Sequence, residues 1–234
     1  MKRNLSPEPR KEHVRPLQGE VIRFDLDTIY EHFEKSLERV QGQFVIAEQL
    51  LEEKKEELCE EIWRAQITFI VSAFDFYLHE ILKYSVYSMY MGNWQPTEAY
   101  KKERVRIPIV RQEVNNKDPE QAGQALLNEI NDNYAYQPFI STGKVGWILK
   151  MVSNKKIKWL YDQLNSRITM DGFNAEEAIE KLFQRRNQIV HQFDRIHENA
   201  QRIAIGKDDV EKSLLLVEEM SSAIYKLCNT NGSN

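Results

Sequence analysis

Apolar residues recur every three or four positions along most of the chain, which is the spacing of side chains on one face of an α-helix. The first such segment begins at Asp25 or Asp27, either of which can cap a helix N-terminus. Its apolar positions are Leu26, Ile29, Tyr30, Phe33, Leu37 and Val40. Gly42 then breaks or kinks the helix, and the same spacing resumes over 44–51. The charged run that follows, EEKKEELCEE, is interpreted as the solvated side of a helix that leads into the next one.

The segment 61–90 is apolar nearly all the way round, so we expect it to be the central helix of the fold. Its polar residues include Ser72, Asp75, His79 and Lys83. They are spaced by three, four and four positions and therefore fall on one narrow stripe, with Glu80 beside it. Asp75 and His79 either make hydrogen bonds within the helix packing or support a functional site, and the sequence leaves both interpretations open.

Residues 92–145 have a different composition, with glycines, several asparagines and prolines at positions 96, 108, 119 and 138. We predict an irregular insert here, between the central helices, with a short strand over 105–110 and a helix over 119–130. The STGKVG segment lacks the first glycine of a phosphate-binding loop, because position 138 is proline, so we reject that function for it. Helical spacing returns after the insert in WILKMV and IKWLYDQL.

Two more helices are predicted towards the end of the chain. Asn174 caps the first, which has Glu176 and Glu177 in its first turn and runs to about Phe193. Asp208 is expected to cap the last helix. The buried face of that helix consists of Val210, Leu214, Val217, Met220, Ile224 and Leu227. The predicted fold class is therefore all-α, an up-and-down helical bundle, with a flexible tail over 1–24 and a single domain over 25–230.

Composition supports a folded domain and limits how the chain can bind nucleic acid. The 234 residues include 41% hydrophobic and 10% aromatic residues, which is a globular composition. The chain has 32 basic and 36 acidic side chains, so the formal net charge is −4. A protein so close to neutral is not built to coat nucleic acid non-specifically. Any nucleic-acid role must therefore rest on local basic patches.

We expect a cytoplasmic protein with no membrane segment, no metal and no cofactor. The N-terminal residues lack the apolar core of a signal peptide, and the apolar window 67–91 is interrupted by charged residues. Two cysteines, Cys59 and Cys228, are too few for a disulfide framework or a cysteine-rich zinc site. No His-Glu-x-x-His motif occurs, and neither cysteine has a histidine nearby in the sequence to activate it.

The helix that begins after Asn174 carries the sharpest functional signal. Arg186 occupies a position where the spacing calls for an apolar residue, and burying a guanidinium is costly unless it is paired or lies in a wet cleft. Asn187 lies one turn before His191 and can orient the imidazole, and Asp194 follows close enough to tune the histidine pKa. The predicted core face is Ala175, Ala178, Ile179, Leu182, Ile189, Val190 and Phe193. The alternatives are a structural ion pair between Arg186 and Asp75, and a histidine with no function beyond packing.

The arrangement Arg186-Asn187-x-x-x-His191 resembles the Arg-x4–6-His signature of the HEPN superfamily, in which a polar residue often follows the arginine. The central segment SAFDFYLHEILK also resembles the first conserved helix of that superfamily, particularly of its RiboL-PSP-HEPN group. The resemblance covers about residues 60–90 and 174–228. It implies a HEPN-type helical bundle that dimerises, with the two Arg–His helices forming a composite cleft across a two-fold axis.

The resemblance also implies a function, since many such proteins are metal-independent endoribonucleases of toxin–antitoxin, abortive-infection or anti-phage systems. In that chemistry His191 takes the proton from a ribose 2′-hydroxyl and Arg186 binds the scissile phosphate. Asn187 orients the His191 imidazole, and Asp75 supports the site by pairing with Arg186 or by orienting His191. Expected partners are an RNA substrate, a second copy of the chain, and an antitoxin or other defence protein. Some HEPN toxins carry a modifiable tyrosine two residues after the histidine, where this chain has Phe193.

Basic residues that could bind RNA are Arg185 beside the motif and the cluster Lys155, Lys156 and Lys158, together with Lys150. Trp147 and Trp159 bracket the lysine cluster and either stack on bases or pack in the core. The lysines themselves are either a phosphate-binding surface or an ordinary solvated face. The rival to a nuclease is a non-catalytic HEPN-like module that binds a partner protein or a nucleotide.

Overall fold

The computed structural model describes residues 21–104 and 118–231, and these ranges fold into helices joined by loops. The helices are α1 (Leu26–Gln41), α2 (Phe44–Glu52), α3 (Glu56–Tyr90), a short 3-10 turn (Tyr100–Lys102), α4 (Pro119–Tyr134), α5 (Thr142–Ser153), α6 (Ile157–Arg167), α7 (Ala175–Gln192) and α8 (Lys207–Asn231). Within the two ranges there is no β-strand, and an isolated bridge joins Arg195 to Arg202. The all-α prediction is confirmed, whereas the HEPN-type arrangement stays a prediction.

Capping residues explain most of the helix boundaries. The Asp25 carboxylate accepts from the Thr28 N–H at 2.7 Å, and α1 ends at Gly42, both as predicted. The Asn174 side chain accepts from the Glu177 N–H at 3.1 Å and caps α7. The cap predicted for the last helix is wrong, because α8 begins at Lys207 and Asp208 lies inside its first turn.

The first turn of α8 is closed by a different carboxylate. Asp209 Oδ2 accepts from the N–H of Gly206 at 2.8 Å. This bond reaches backwards from the third helical residue to the residue before the helix, as in half of a capping box. A pattern of apolar residues cannot distinguish two neighbouring aspartates, which is why the sequence prediction chose the wrong one.

The charged run EEKKEELCEE contains a chain reversal. Helix α2 ends at Glu52, Lys54 takes a left-handed backbone conformation with φ of 58°, and α3 begins at Glu56. The central helix is therefore longer at its N-terminus than the predicted 61–90. Two acidic residues in its first turn, Glu56 and Glu57, favour this start because they face the positive end of the helix dipole.

Helix α3 forms the centre of the fold, as its all-round apolar character predicts. Helices α1, α2, α4, α5, α7 and α8 all pack against it. Side chains such as Ile70, Phe74, Leu78 and Ile81 are completely buried. The hydroxyl of Tyr77 is also buried, and it donates to the Ser221 carbonyl of α8 at 3.1 Å. Among the described helices, none combines the length and apolar character needed to cross a lipid bilayer.

The segment 92–145 contributes to the core. Trp94 and Phe139 are buried, and α4, which includes the helix predicted over 119–130, packs on α3. The strand predicted over 105–110 lies outside the described residues. Most of the tail predicted over 1–24 also lies outside them, while Val21 is held on α4 by hydrogen bonds to Asn128 at 3.1 Å and from Gln124 at 2.7 Å.

Candidate functional site

The polar stripe of α3 meets the loop before α5. Asp75 Oδ1 accepts from the backbone N–H of Phe139 at 2.6 Å. The same oxygen lies 3.9 Å from His79 Nε2, one helical turn away. The imidazole of His79 packs against the buried Phe139 ring, with ring centroids 4.4 Å apart. Two elements distant in sequence therefore fix the positions of the Asp75 carboxylate and the His79 imidazole.

The electrostatics of this pair link α3 to α7. Burial raises the pKa of Asp75, and the Phe139 N–H, His79 and Arg186 each lower it. Burial lowers the pKa of His79, and the neighbouring Asp75 carboxylate raises it. The charge of Arg186 on α7 is thus felt by Asp75 on α3. The structure brings together Arg186, Asp75 and His79, three of the residues that the sequence analysis singled out.

Arg186 is half-buried and not fully engaged. Its Nη1 donates to the side-chain oxygen of Asn187 at 3.2 Å. Its Nε is buried and has no hydrogen-bond partner within the described ranges. The ion-pair partner of Asp75 within 4 Å is His79, so Arg186 acts on Asp75 from further away. A guanidinium has five N–H donors, and this one has donors left for an anionic ligand.

The end of α7 is more exposed than predicted. His191 and Asn187 are exposed, and Val190 and Phe193 are 46% and 61% exposed, so the prediction that the last two belong to the core is wrong. The buried residues of α7 lie nearer its N-terminus, where the helix has neighbours on both sides. The Asn187 side-chain oxygen accepts from Arg186, and among the described residues no side-chain hydrogen bond joins Asn187 to His191.

Asp194 turns into the protein, away from the role predicted for it. Its side chain is completely buried, and its Oδ2 accepts from Arg64 Nε at 2.7 Å and from Arg185 Nη2 at 2.9 Å. Phe193 and Asp194 both have left-handed backbones, with φ of 52° and 56°, which reverses the chain after α7. The expectation that this carboxylate tunes His191 is therefore wrong, because it is committed to two arginines.

Arg64 is the residue of this region that the sequence analysis missed. Its side chain is buried within α3, where it also donates to Glu60 at 2.9 Å and to the Ile203 carbonyl at 2.9 Å. The available signal was an arginine directly after Trp63 in a helix that is otherwise apolar. Arg64 and Asp194 tie the loop after α7 to the central helix, and so hold the end of α7 that carries His191.

The predicted RNA-binding residues have different surroundings. Arg185 is engaged inside the protein, since in addition to Asp194 it donates to the carbonyls of Ile203 at 3.3 Å and Ala204 at 3.0 Å. Lys158 is exposed and pairs with Asp162 at 2.9 Å. Lys155 and Lys156 are exposed at the junction between α5 and α6. Of these four, Lys155 and Lys156 are the residues whose charge faces solvent without a described acidic partner.

An exposed apolar surface, here called the apolar face, adjoins the site. Positions 58, 62, 65, 69, 72, 76 and 79 of α3 are spaced alternately by four and three, so they form one stripe along the helix. Phe69 and Phe76 on this stripe are 49% and 55% exposed. Val190 near the end of α7 and Phe193 directly after it are also exposed. The stripe ends at His79, so the apolar face and the polar cluster are continuous. Contiguous exposed apolar surface is typical of interaction sites.

The histidine, cysteine and acidic side chains are the groups that could bind a metal or act as a nucleophile. No group of three or more histidine, cysteine or acidic side chains is placed among the described residues to hold a metal ion. Cys59 and Cys228 are buried, and burial raises the pKa of both thiols, which is the opposite of what an activated thiolate requires.

Comparison of the chain with protein-family models, with curated proteins and with solved structures finds no match.

Proposed function

We propose that the chain is a metal-independent endoribonuclease of the HEPN type, in which Arg186 and His191 act on one phosphodiester. The observation that carries the proposal is the half-buried Arg186, on the same helix end as the exposed His191. Its buried Nε has no hydrogen-bond partner in the part of the chain that the structure describes. An arginine poised for an anion and an accessible imidazole are the two groups that metal-free RNA cleavage needs.

The reaction is an in-line displacement at phosphorus. His191 takes the proton from the ribose 2′-hydroxyl, and the 2′-oxygen attacks the adjacent phosphorus. Arg186 holds the non-bridging oxygens and stabilises the charge that builds up on them. The bond to the 5′-oxygen breaks, and that oxygen takes a proton from water. The products are a 2′,3′-cyclic phosphate and a 5′-hydroxyl. Asp75 is a positioning residue, because it lies near enough to Arg186 for the charges of the two side chains to interact.

The geometry of α7 favours a site shared between two copies of the chain. Arg186 and His191 are five residues apart, so their side chains leave the helix axis about 140° apart. Such divergence suits a cleft in which each copy supplies one group to the same phosphate. The apolar face provides the surface for this contact, because a two-fold axis would cover Phe69, Phe76 and Phe193 of both copies at once. We therefore propose a homodimer as the active form, within a toxin–antitoxin or anti-phage system.

A second candidate function is a non-catalytic module that binds a partner protein or a nucleotide. Two observations favour it. The Asn187 side chain is hydrogen-bonded to Arg186 and not to the His191 imidazole, and Arg185 donates to the buried Asp194. In this alternative a partner protein binds to the apolar face, and the role of Arg186 is to favour the ionised form of Asp75.

An RNA cleavage assay in excess EDTA separates the two functions. The wild type is compared with Arg186→Ala, His191→Ala and the control His197→Ala, which removes an exposed histidine beyond α7. We expect cleavage to cyclic-phosphate ends by the wild type and by the control, and a loss of about 10²–10⁴-fold in the other two. Circular dichroism verifies that all four proteins are folded. Equal activity in all four, or no cleavage of mixed RNA and tRNA, would contradict the nuclease proposal.

A further inference from the structure

A cavity of about 580 Å³ lies between the turn at residues 97–102 and the junction of α5 and α6. Lys102, Lys150, Lys156 and Trp147 line it, and we call it the lysine–tryptophan cavity. It is separate from the Arg186 and Asp75 side chains, neither of which lines it. Its volume falls within the range of small-ligand sites, which is about 300–1,000 Å³.

Two hydrogen bonds hold the walls of this cavity together. The Glu98 N–H donates to Asn154 Oδ1 at 2.8 Å, and the Thr97 hydroxyl donates to the Met151 carbonyl at 3.1 Å. Asn154 ends α5 in a left-handed conformation with φ of 57°, which turns its side chain to meet the 97–102 turn. The cavity is therefore formed by the folded chain itself, without any ligand to organise it.

The charges at the cavity favour an anionic ligand. Lys102, Lys150 and Lys156 are exposed, and none of them makes an ion pair with another described residue. The two acidic residues of the lining are engaged elsewhere, since Glu98 pairs with Lys101 at 2.7 Å and Glu103 accepts from the Tyr134 hydroxyl at 2.7 Å. The lining therefore carries three ammonium groups against two carboxylates. Glu98 is paired with Lys101, outside the lining, so the balance of charge at the opening is positive.

Trp147 adds a flat surface and a connection to the candidate site. It is half-buried, and its ring lies 5.1 Å from that of Tyr134 and 5.9 Å from that of Phe139, centroid to centroid. Phe139 in turn packs on His79 and donates its N–H to Asp75. A continuous row of rings therefore joins the lysine–tryptophan cavity to the cluster formed by Asp75, His79 and Arg186.

We propose that this cavity binds one nucleotide of single-stranded RNA, with the base stacked on Trp147 and the flanking phosphates held by Lys102, Lys150 and Lys156. An aromatic surface beside several ammonium groups is the combination that recognises a base and its phosphates together. Binding in this cavity does not depend on catalysis. The inference rests on the proposed nuclease function only where it takes the bound RNA to be the substrate that is cleaved. The cavity also separates the lysines that the sequence analysis grouped together, because Lys150 and Lys156 line it and Lys158 does not.

The test measures binding without cleavage. The probe is a fluorescein-labelled single-stranded oligoribonucleotide, fully 2′-O-methylated so that no 2′-oxygen can attack. Lys150→Gln/Lys156→Gln is compared with Lys158→Gln/Lys181→Gln, which removes the same charge from two exposed lysines paired with Asp162 and Glu177. We expect the first variant to raise Kd about tenfold or more and to reduce the salt slope by about 1.4, since each single-strand phosphate contact contributes about 0.7. Equal binding by the two double variants would overturn the proposal.

Stacking has its own readout. Base stacking quenches indole fluorescence, so the oligonucleotide should quench the wild type and should quench Trp147→Phe much less. Undiminished quenching in Trp147→Phe would overturn the stacking role. The two proposals also fail separately. Binding through this cavity without any RNA cleavage would remove the nuclease proposal alone, whereas cleavage with unchanged binding by Lys150→Gln/Lys156→Gln would remove the cavity proposal alone.

Discussion

At the scale of single residues, Asp75 makes opposing contributions to folding and to the candidate site. Its carboxylate accepts the Phe139 N–H and acts on Arg186, yet burial raises its pKa above the ordinary value. A raised carboxyl pKa means that the folded state binds a proton more tightly than the unfolded state. The ionised form therefore costs stability, and this cost disappears as the pH falls through the raised pKa.

Asp75→Asn tests both contributions at once. We expect the substitution to leave the free energy of unfolding unchanged or higher at pH 7, because the amide mimics the protonated acid, and any gain should shrink towards pH 4. RNA cleavage should fall about tenfold or more through a lower kcat, since Arg186 loses a positioning charge. Urea unfolding at both pH values and cleavage kinetics check this. Ser72→Ala on the same stripe is the control, and loss of the fold in Asp75→Asn would remove the positioning role.

Substitution of Asp194 is expected to lower the free energy of unfolding, because its carboxylate pairs with Arg64 and Arg185. Asp194→Ala leaves Arg64, which is 2% exposed, without its closest partner. Arg64 keeps its contacts with Glu60 and the Ile203 carbonyl, so we expect the loss of one buried charge-assisted hydrogen bond, about 1.5–3 kcal/mol. The loop after α7 should open, so cleavage by the nearby His191 should fall as well. Chemical denaturation and amide hydrogen exchange of α7 measure the effect.

The control for Asp194 is Asp162→Ala. It removes an equally charged side chain that pairs at the surface with Lys158, and exposed pairs contribute little. We expect it to unfold like the wild type. If Asp194→Ala were as stable as this control, the Arg64–Asp194 contact would have no role in holding the end of α7.

At the scale of elements, α4 approaches α3 through a glycine. A Cβ atom at Gly123 would lie 2.7 Å from Cε2 of the buried Tyr87 ring, closer than real contacts allow. We expect Gly123→Ala to destabilise the protein by about 1–3 kcal/mol, because overpacking outweighs the gain in helix propensity of about 1 kcal/mol. Thermal and urea unfolding measure this.

Gly143 in the first turn of α5 is the matched control, because a Cβ there meets nothing within 4 Å. Gly143→Ala should be neutral or slightly stabilising. A Gly123→Ala protein that is as stable as Gly143→Ala would show that α4 does not pack as closely on α3 as described.

Local sequence signals predicted the positions of the helices well. Contacts between residues distant in sequence could not be predicted from them. Apolar spacing with the caps Asp25 and Asn174 located α1 and α7 from the sequence. The same spacing assigned Val190 and Phe193 to the core, because periodicity does not reveal where a helix runs out of neighbours. The inward turn of Asp194 depends on Arg64, 130 residues away, so no local pattern could predict it. The Asp75–Phe139 contact was invisible for the same reason.

At the scale of the whole molecule, the apolar face makes a prediction about assembly. Phe69→Lys/Phe76→Lys places charge on two exposed positions of α3, so the monomer should stay folded. We expect the variant to be monomeric and inactive on RNA, because the composite site is not assembled. Analytical ultracentrifugation and the cleavage assay measure both properties.

The equally exposed Val45 and Ile46 on α2 supply the control. Val45→Lys/Ile46→Lys should leave assembly and cleavage unchanged, because α2 is not part of the apolar face. A Phe69→Lys/Phe76→Lys protein that still dimerises and cleaves RNA would contradict the assignment of this face to the dimer.

The most direct measurement is subunit complementation. Arg186→Ala and His191→Ala chains are co-expressed with different affinity tags, and the mixed dimer is purified through both tags. If each site takes Arg186 from one chain and His191 from the other, one site of the mixed dimer lacks both groups and the other site keeps both. We therefore predict about half of the wild-type cleavage rate in EDTA. Each variant alone should be inactive. A mixed dimer as inactive as its parents would contradict the shared Arg186–His191 site.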